Sequence, residues 1–206
     1  VAALIDPLAC VVNGVNKANP RPGESAIIFG AGAIGCLFLA MFKAAGAAPV
    51  IVVEPQASRA AVAAAVGADA VVHPNELTER RERREKLIFN AVRRFGFLAR
   101  RDVLDLPDHG LDHAALGGRI VLFGMNDTAR PAIHQYTITH RSLSVLGAYV
   151  TAFTFPTAIR LVEGGSLPLD PIVTHVLPLE RVSDGLDLLR SGEATKVVIT
   201  PGATRS

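Results

Sequence analysis

The stretch Ser25-Ala26-Ile27-Ile28-Phe29-Gly30-Ala31-Gly32-Ala33-Ile34-Gly35 constrains this chain more than any other. A run of small and apolar residues ending at glycine reads as a parallel strand covered on both faces, because such strands lose the polar–apolar alternation of half-solvated ones. The glycines then occupy the first, third and sixth places of a G-x-G-x-x-G turn. Gly30 permits the tight turn out of the strand, Gly32 leaves the backbone bare, and Gly35 lets the next helix pack closely on the strand. That helix, read as 34–45, opens at the turn. Its unpaired N–H groups and positive dipole end therefore face whatever lies over Gly32, Ala33 and Ile34.

A second apolar strand, Val50-Ile51-Val52-Val53, ends at Glu54, about 20 residues beyond the turn, the spacing at which a ribose-binding carboxylate is expected. Strand, glycine turn, helix, strand and acid in this order predict a dinucleotide site, with the pyrophosphate on Gly30, Gly32, Ala33, Ile34 and Gly35. A carboxylate accepts both ribose hydroxyls of NAD and repels the 2′-phosphate of NADP, so NAD is the expected cofactor and NADP the disfavoured one. Arg59 lies five residues further on. It either meets the adenine or ribose or is the solvated start of a helix, and the sequence leaves both open.

The chain has 206 residues, enough for one large domain or one and a half, and half of them are hydrophobic while 19% are charged. That balance suits a doubly wound α/β fold with a covered parallel sheet. Cys10 and Cys36 are too few for a disulfide framework or a cysteine-based zinc lobe, which makes a reducing cytoplasm the expected location. The uncharged run 26–42 is broken by glycines and closed by Lys43, so no membrane span is expected. Charge is lopsided: residues 80–101 hold eight Arg and one Lys against Glu82 and Glu85, a local excess of seven, while the whole chain carries +2. No nucleic-acid module has this spacing, and a charge block of this kind reads as a solvated helix or loop, so no nucleic-acid partner is expected.

Along the chain, residues 1–17 read as a helix with Asp6 as N-cap and Pro7 in the first turn. The apolar opening without a start methionine implies that something precedes it. Residues 57–66 form an alanine-rich helix closed by Gly67, and 70–73 a third strand. His73 has no carboxylate partner in sequence and reads as structural. From 76 to 112 the pattern changes: 79–86 is almost all charge, and only 87–91 or 103–106 offers apolar residues for a fourth strand. Order returns with strands at 119–123 and 142–148, a helix at 155–163, an extended 175–179, a short helix at 182–189 and a last strand at 196–200. The expected division is a junction helix and loop over 1–22, a dinucleotide-binding domain over 23–150, and returning helix and strands over 151–206.

Asp6-Pro7-Leu8-Ala9-Cys10, the 23–54 stretch with Arg59 and Gly67-Ala68-Asp69, Gly117 to Gly124, Leu177-Pro178-Leu179-Glu180 and Lys196 to Ile199 together resemble the zinc-dependent medium-chain dehydrogenases of alcohol, sorbitol and threonine type. The resemblance covers 1–75 and 113–201. It implies a Rossmann sheet of order 3-2-1-4-5-6, Phe123 and Gly124 beside the nicotinamide, and NAD-dependent oxidation of a secondary alcohol or polyol. It also implies a homo-oligomer joined near 142–149, and a zinc ion in the full-length relative. The family's N-terminal catalytic domain, with its cysteine and His-Glu zinc ligands, has no counterpart here. Asp6 stands where sorbitol- and threonine-type members carry a glutamate near the zinc, which makes it the single candidate metal ligand; no catalytic residue is assigned. The missing fourth-strand motif and the arginine pairs resemble a locally altered reading frame. The alternative function is a truncated or degenerate relative that at most binds NAD(P). A zinc-independent quinone-type reductase is disfavoured because such proteins usually lack an acid at the place of Glu54.

Overall fold

Strands β1 (Ala26–Phe29) and β2 (Val50–Val53) are buried at every position. Their side chains alternate between two separate cores, as the pleat requires. Ile28, Val50 and Val52 enter one cluster with Leu8, Val11, Leu37, Phe38 and Phe42. Ile27, Phe29, Ile51 and Val53 enter another with Val72, Ile120 and Leu143. Both faces of the sheet are therefore covered, which explains the unbroken apolar runs.

The computed structural model describes residues 1–76, 95–98 (as backbone), 111, 113–124 and 133–202. Their main sheet is parallel, six-stranded and ordered β3-β2-β1-β4-β5-β6, with β3 at Ala70–Val72, β4 at Phe95–Leu98, β5 at Arg119–Leu122 and β6 at Ser144–Gly147. The expected order holds. The fourth strand is neither apolar candidate: Phe95–Leu98 pairs with Ala26–Phe29 on one side and Arg119–Leu122 on the other. Residues 79–86, 87–91, 103–106 and the arginine pairs fall outside the described residues.

Helices α1 (Ile5–Ala18), α2 (Ala33–Ala44) and α3 (Ala57–Val66) build the early part of the fold, and α2 begins and ends one residue before its expected span. Asp6 is not the N-cap of α1. A 3-10 turn at Ala2–Leu4 runs into the helix, so Leu4 takes the cap position and Asp6 falls in the first turn, where its charge faces the positive dipole end. Helix α1 lies against α2 and against α5 (Phe155–Glu163). At Gly14 the first approach is close, since a Cβ there would stand 2.5 Å from Phe38 Cζ. At the second, the Thr154 hydroxyl donates to Ala9 O at 2.6 Å.

The short α4 (Gln135–His140) precedes β6 and was not legible in sequence. None of its residues is buried, and Ile138 alone of them is partly buried against the second core cluster. Strands β7 (His175–Pro178) and β8 (Val197–Thr200) pair in parallel around the crossover helix α6 (Val182–Ser191), forming a second, two-stranded sheet. No described helix is long and apolar enough to cross a membrane.

Candidate dinucleotide site

Each glycine of the turn has its own reason in the geometry. Gly30 adopts φ +99°, open to glycine and few others, and its amide donates to Val53 O at 2.8 Å. A Cβ on Gly35 would lie 1.9 Å from Gly30 O, so only a bare Cα lets α2 start this close to β1. Gly32 has ordinary extended backbone and nothing within 4 Å of where its Cβ would be. It faces open space. Gly32 is also the N-cap of α2, which has no side-chain cap and no acidic residue in its first turn. The opening amides at Ala33 and Ile34 therefore present positive character toward that space. One glycine is thus small because packing requires it, and the other leaves the first amides of the helix open to an approaching anion.

Glu54 ends β2 and is 4% exposed. Its Oε2 accepts the Ala31 amide at 2.7 Å and its Oε1 the Gln56 amide at 3.0 Å. The carboxylate thus braces the turn from beneath. Sequence reasoning placed an acid here but missed Ala31 and Gln56 as the groups that hold it. Each carboxylate oxygen has a second lone pair, so hydroxyl donors remain acceptable. Arg59, on α3, is half-buried, and its Nε is buried without a partner.

Phe123 and Gly124 leave the carboxyl end of β5, next to the point where the sheet order reverses between β1 and β4. The Phe123 ring packs edge-on against Phe38, with centroids 5.2 Å apart, and Gly124 is exposed. On β6's side, Asn13 Nδ2 donates to Tyr149 O at 3.2 Å and Val150 O at 2.9 Å, fixing the loop after the strand to α1. Nothing in the sequence marked Asn13. His73 is taken up locally: its Nδ1 accepts the Asn75 amide and its own amide donates to Glu76.

Buried Cys36 sits beneath the turn, its Sγ 3.4 Å from Ala31 O. Burial, with the Glu54 charge adding and Arg59 opposing, pushes its thiol up to about 12. Cys10 is also raised, by burial first and then by the charge of Asp6.

A profile of the zinc-binding dehydrogenases matches residues 33–164, well over half of the chain. The chain belongs to the zinc-binding dehydrogenase family. Among its relatives, the sorbitol dehydrogenase of Bombyx mori is 30% identical, with 96% of this chain aligned to 57% of that protein. The L-threonine 3-dehydrogenase of Thermococcus kodakarensis is 35% identical, with 97% aligned to 57%. A zinc-binding dehydrogenase of Sinorhizobium meliloti solved with NADP bound superposes with a TM-score of 0.82 at 26% identity, over 97% of this chain and 58% of that one. The chain thus spans little more than half the length of the relatives it matches.

The dinucleotide half of the family's chemistry fits these residues: the open face of Gly32 and the buried acid are both in place. Zinc does not fit them. Among the described residues no three His, Cys, Asp or Glu side chains lie close enough to hold a metal ion, and Asp6 is exposed on the first turn of α1.

Proposed function

We propose that this chain is the coenzyme-binding part of an NAD-dependent oxidoreductase of secondary alcohols or polyols. The observation that carries the reading is the pairing of Gly32's open face with the Glu54 carboxylate braced under the same turn. Gly30, Gly32, Gly35 and the first amides of α2 receive the pyrophosphate. Glu54 accepts the hydroxyls of the adenosine ribose, and Arg59 lies beside it. Phe123 and Gly124 flank the nicotinamide, because ligands bind at the carboxyl ends of the strands near the reversal. Bound NAD supplies hydride acceptance, and this chain's residues orient it. The anionic Glu54 favours NAD over NADP, although the Sinorhizobium relative is bound to NADP.

The sorbitol and threonine dehydrogenases among the relatives support a small hydroxylated substrate. Strand β6 lies at the end of the sheet with three of its four residues exposed, which supports a homo-oligomer joined through this edge. Residues 1–22, 23–150 and 151–206 serve as junction, dinucleotide domain and returning segment in this reading. The second reading, a non-catalytic relative that only binds NAD(P), is favoured by the lack of a metal-ligand group among the described residues.

Calorimetric titration with NAD and NADP tests the assignment. Micromolar NAD binding, with NADP weaker, supports it; a folded chain that binds neither sinks it. Turnover of a polyol by the chain itself would remove the second reading.

A further inference from the structure

The turn that ends α6 touches the start of α3, far away in sequence. Gly192 adopts φ +81°, and a Cβ there would stand 1.9 Å from Gln56 Oε1 and 2.4 Å from its Nε2. The Ser58 hydroxyl donates to Gly192 O at 3.1 Å. Gln56 Oε1 is buried with no donor, so packing against the bare glycine holds this amide oxygen rather than a hydrogen bond of its own. The backbone of the same residue is what grips the acid, since Gln56 N–H donates to Glu54 Oε1 at 3.0 Å. Glu54 Oε2 in turn accepts the Ala31 amide of the glycine turn. A continuous path therefore runs from Gly192 through Gln56 and Glu54 to Ala31.

A second glycine on α3 separates strain from crowding. Gly67 closes that helix with φ +108°, yet nothing lies within 4 Å of its would-be Cβ. An alanine at 67 meets backbone strain alone, whereas an alanine at 192 meets strain and the Gln56 side chain.

We infer that Gly192 is a positioning residue for the dinucleotide site: its bare Cα leaves room for the Gln56 side chain, so residues 54–56 keep the backbone position from which the Gln56 amide holds the Glu54 carboxylate against the glycine turn. The β7–α6–β8 unit thereby sets the affinity of the adenosine end. This rests on the cofactor reading above.

The test compares the full chain with Gly192→Ala, Gly192→Ala/Gln56→Ala and Gly67→Ala, reading amide hydrogen exchange at Ala31 and Gln56 and NAD affinity by calorimetry. Gly192→Ala should speed exchange at both amides and raise the NAD Kd about tenfold, the scale of one lost charge-assisted hydrogen bond. Removing the Gln56 side chain as well should return both to within about twofold, because only the crowding is relieved and the left-handed strain stays. Gly67→Ala should lower the melting temperature and move neither readout. Ser58→Ala, which cuts the other tie to Gly192 and introduces no crowding, should shift both readouts in the same direction, by about threefold. Unchanged exchange at Ala31 in Gly192→Ala and Ser58→Ala, or a raised Kd that persists in the double variant, would overturn the inference and leave the cofactor reading standing. Exchange that responds and is rescued in a chain that never binds NAD would overturn both.

Discussion

The Glu54 carboxylate accepts the Ala31 amide at 2.7 Å, which ties the acid ending β2 to the glycine turn ending β1 across 23 residues of chain. Since the same carboxylate accepts the Gln56 amide, Glu54→Ala leaves two backbone donors without their acceptor in a buried place. The expected cost is about 1–3 kcal/mol of stability. The NAD Kd should rise at least about tenfold, and NADP should lose its disadvantage as the opposing charge goes. Chemical denaturation and calorimetry with both dinucleotides check this; an undiminished preference for NAD would contradict the role given to the acid.

The two glycines at either end of the α2 entrance should separate folding from binding. Gly35→Ala forces a Cβ onto Gly30 O and should cost about 1–3 kcal/mol or prevent folding. Gly32→Ala has ordinary backbone and open space around it, so the thermal midpoint should stay near that of the parent. Its methyl would nevertheless occupy the face offered to the pyrophosphate, and NAD binding should fall about tenfold or more. A Gly32→Ala chain that binds NAD normally would move the pyrophosphate elsewhere.

Lys43 and Asp69 clasp α2 to the start of β2. Burial alone raises the Asp69 carboxyl, but Lys43 Nζ at 2.8 Å and the Val50 amide at 2.6 Å reverse this and hold it below its usual value. A carboxyl depressed in the folded state stabilises above its unfolded value, about 3.9, and that contribution is lost as pH falls through the folded value. Asp69→Asn should therefore be less stable than the parent at pH 6 and converge with it on acidification below about 3.9. Urea unfolding midpoints across pH 2–7 read this directly; parallel curves would deny the linkage.

With its thiol near 12, Cys36 should be inert in the folded chain. At pH 8 its thiolate fraction is on the order of a thousand times below that of an unperturbed cysteine, before burial slows access further. Iodoacetamide followed by peptide mass analysis should label Cys10 slowly and Cys36 only after denaturation. Prompt labelling of Cys36 would mean that the turn above it opens readily.

The glycine turn was legible because every requirement on it is local. A doubly covered strand must be apolar throughout, and the turn needs glycine where backbone sign or helix packing forbids a side chain. Glu54 followed from strand length and spacing. Residues 95–98, lying between two arginine pairs, are different: nothing local distinguishes them, and 87–91 was as apolar. Their place was decided by pairing with β1 and β5 at once, a condition met by backbone groups whose sequence says little. Asp6 shows the same limit on a smaller scale, because the 3-10 turn ahead of it moved the N-cap to Leu4.

The sequence by itself determined the βαβ unit, its glycine turn and the acid at 54, all properties of residues within about one supersecondary unit of each other, and the family resemblance, which rests on short motifs in a fixed order along the chain. Only the tertiary structure decided which segment fills the slot between β1 and β5, that Asn13 holds the loop after β6, and that Gly192 is seated on Gln56. Those contacts join residues brought together by chain closure, and a glycine that merely ends a helix reads the same as one that makes room for a distant side chain until the two meet.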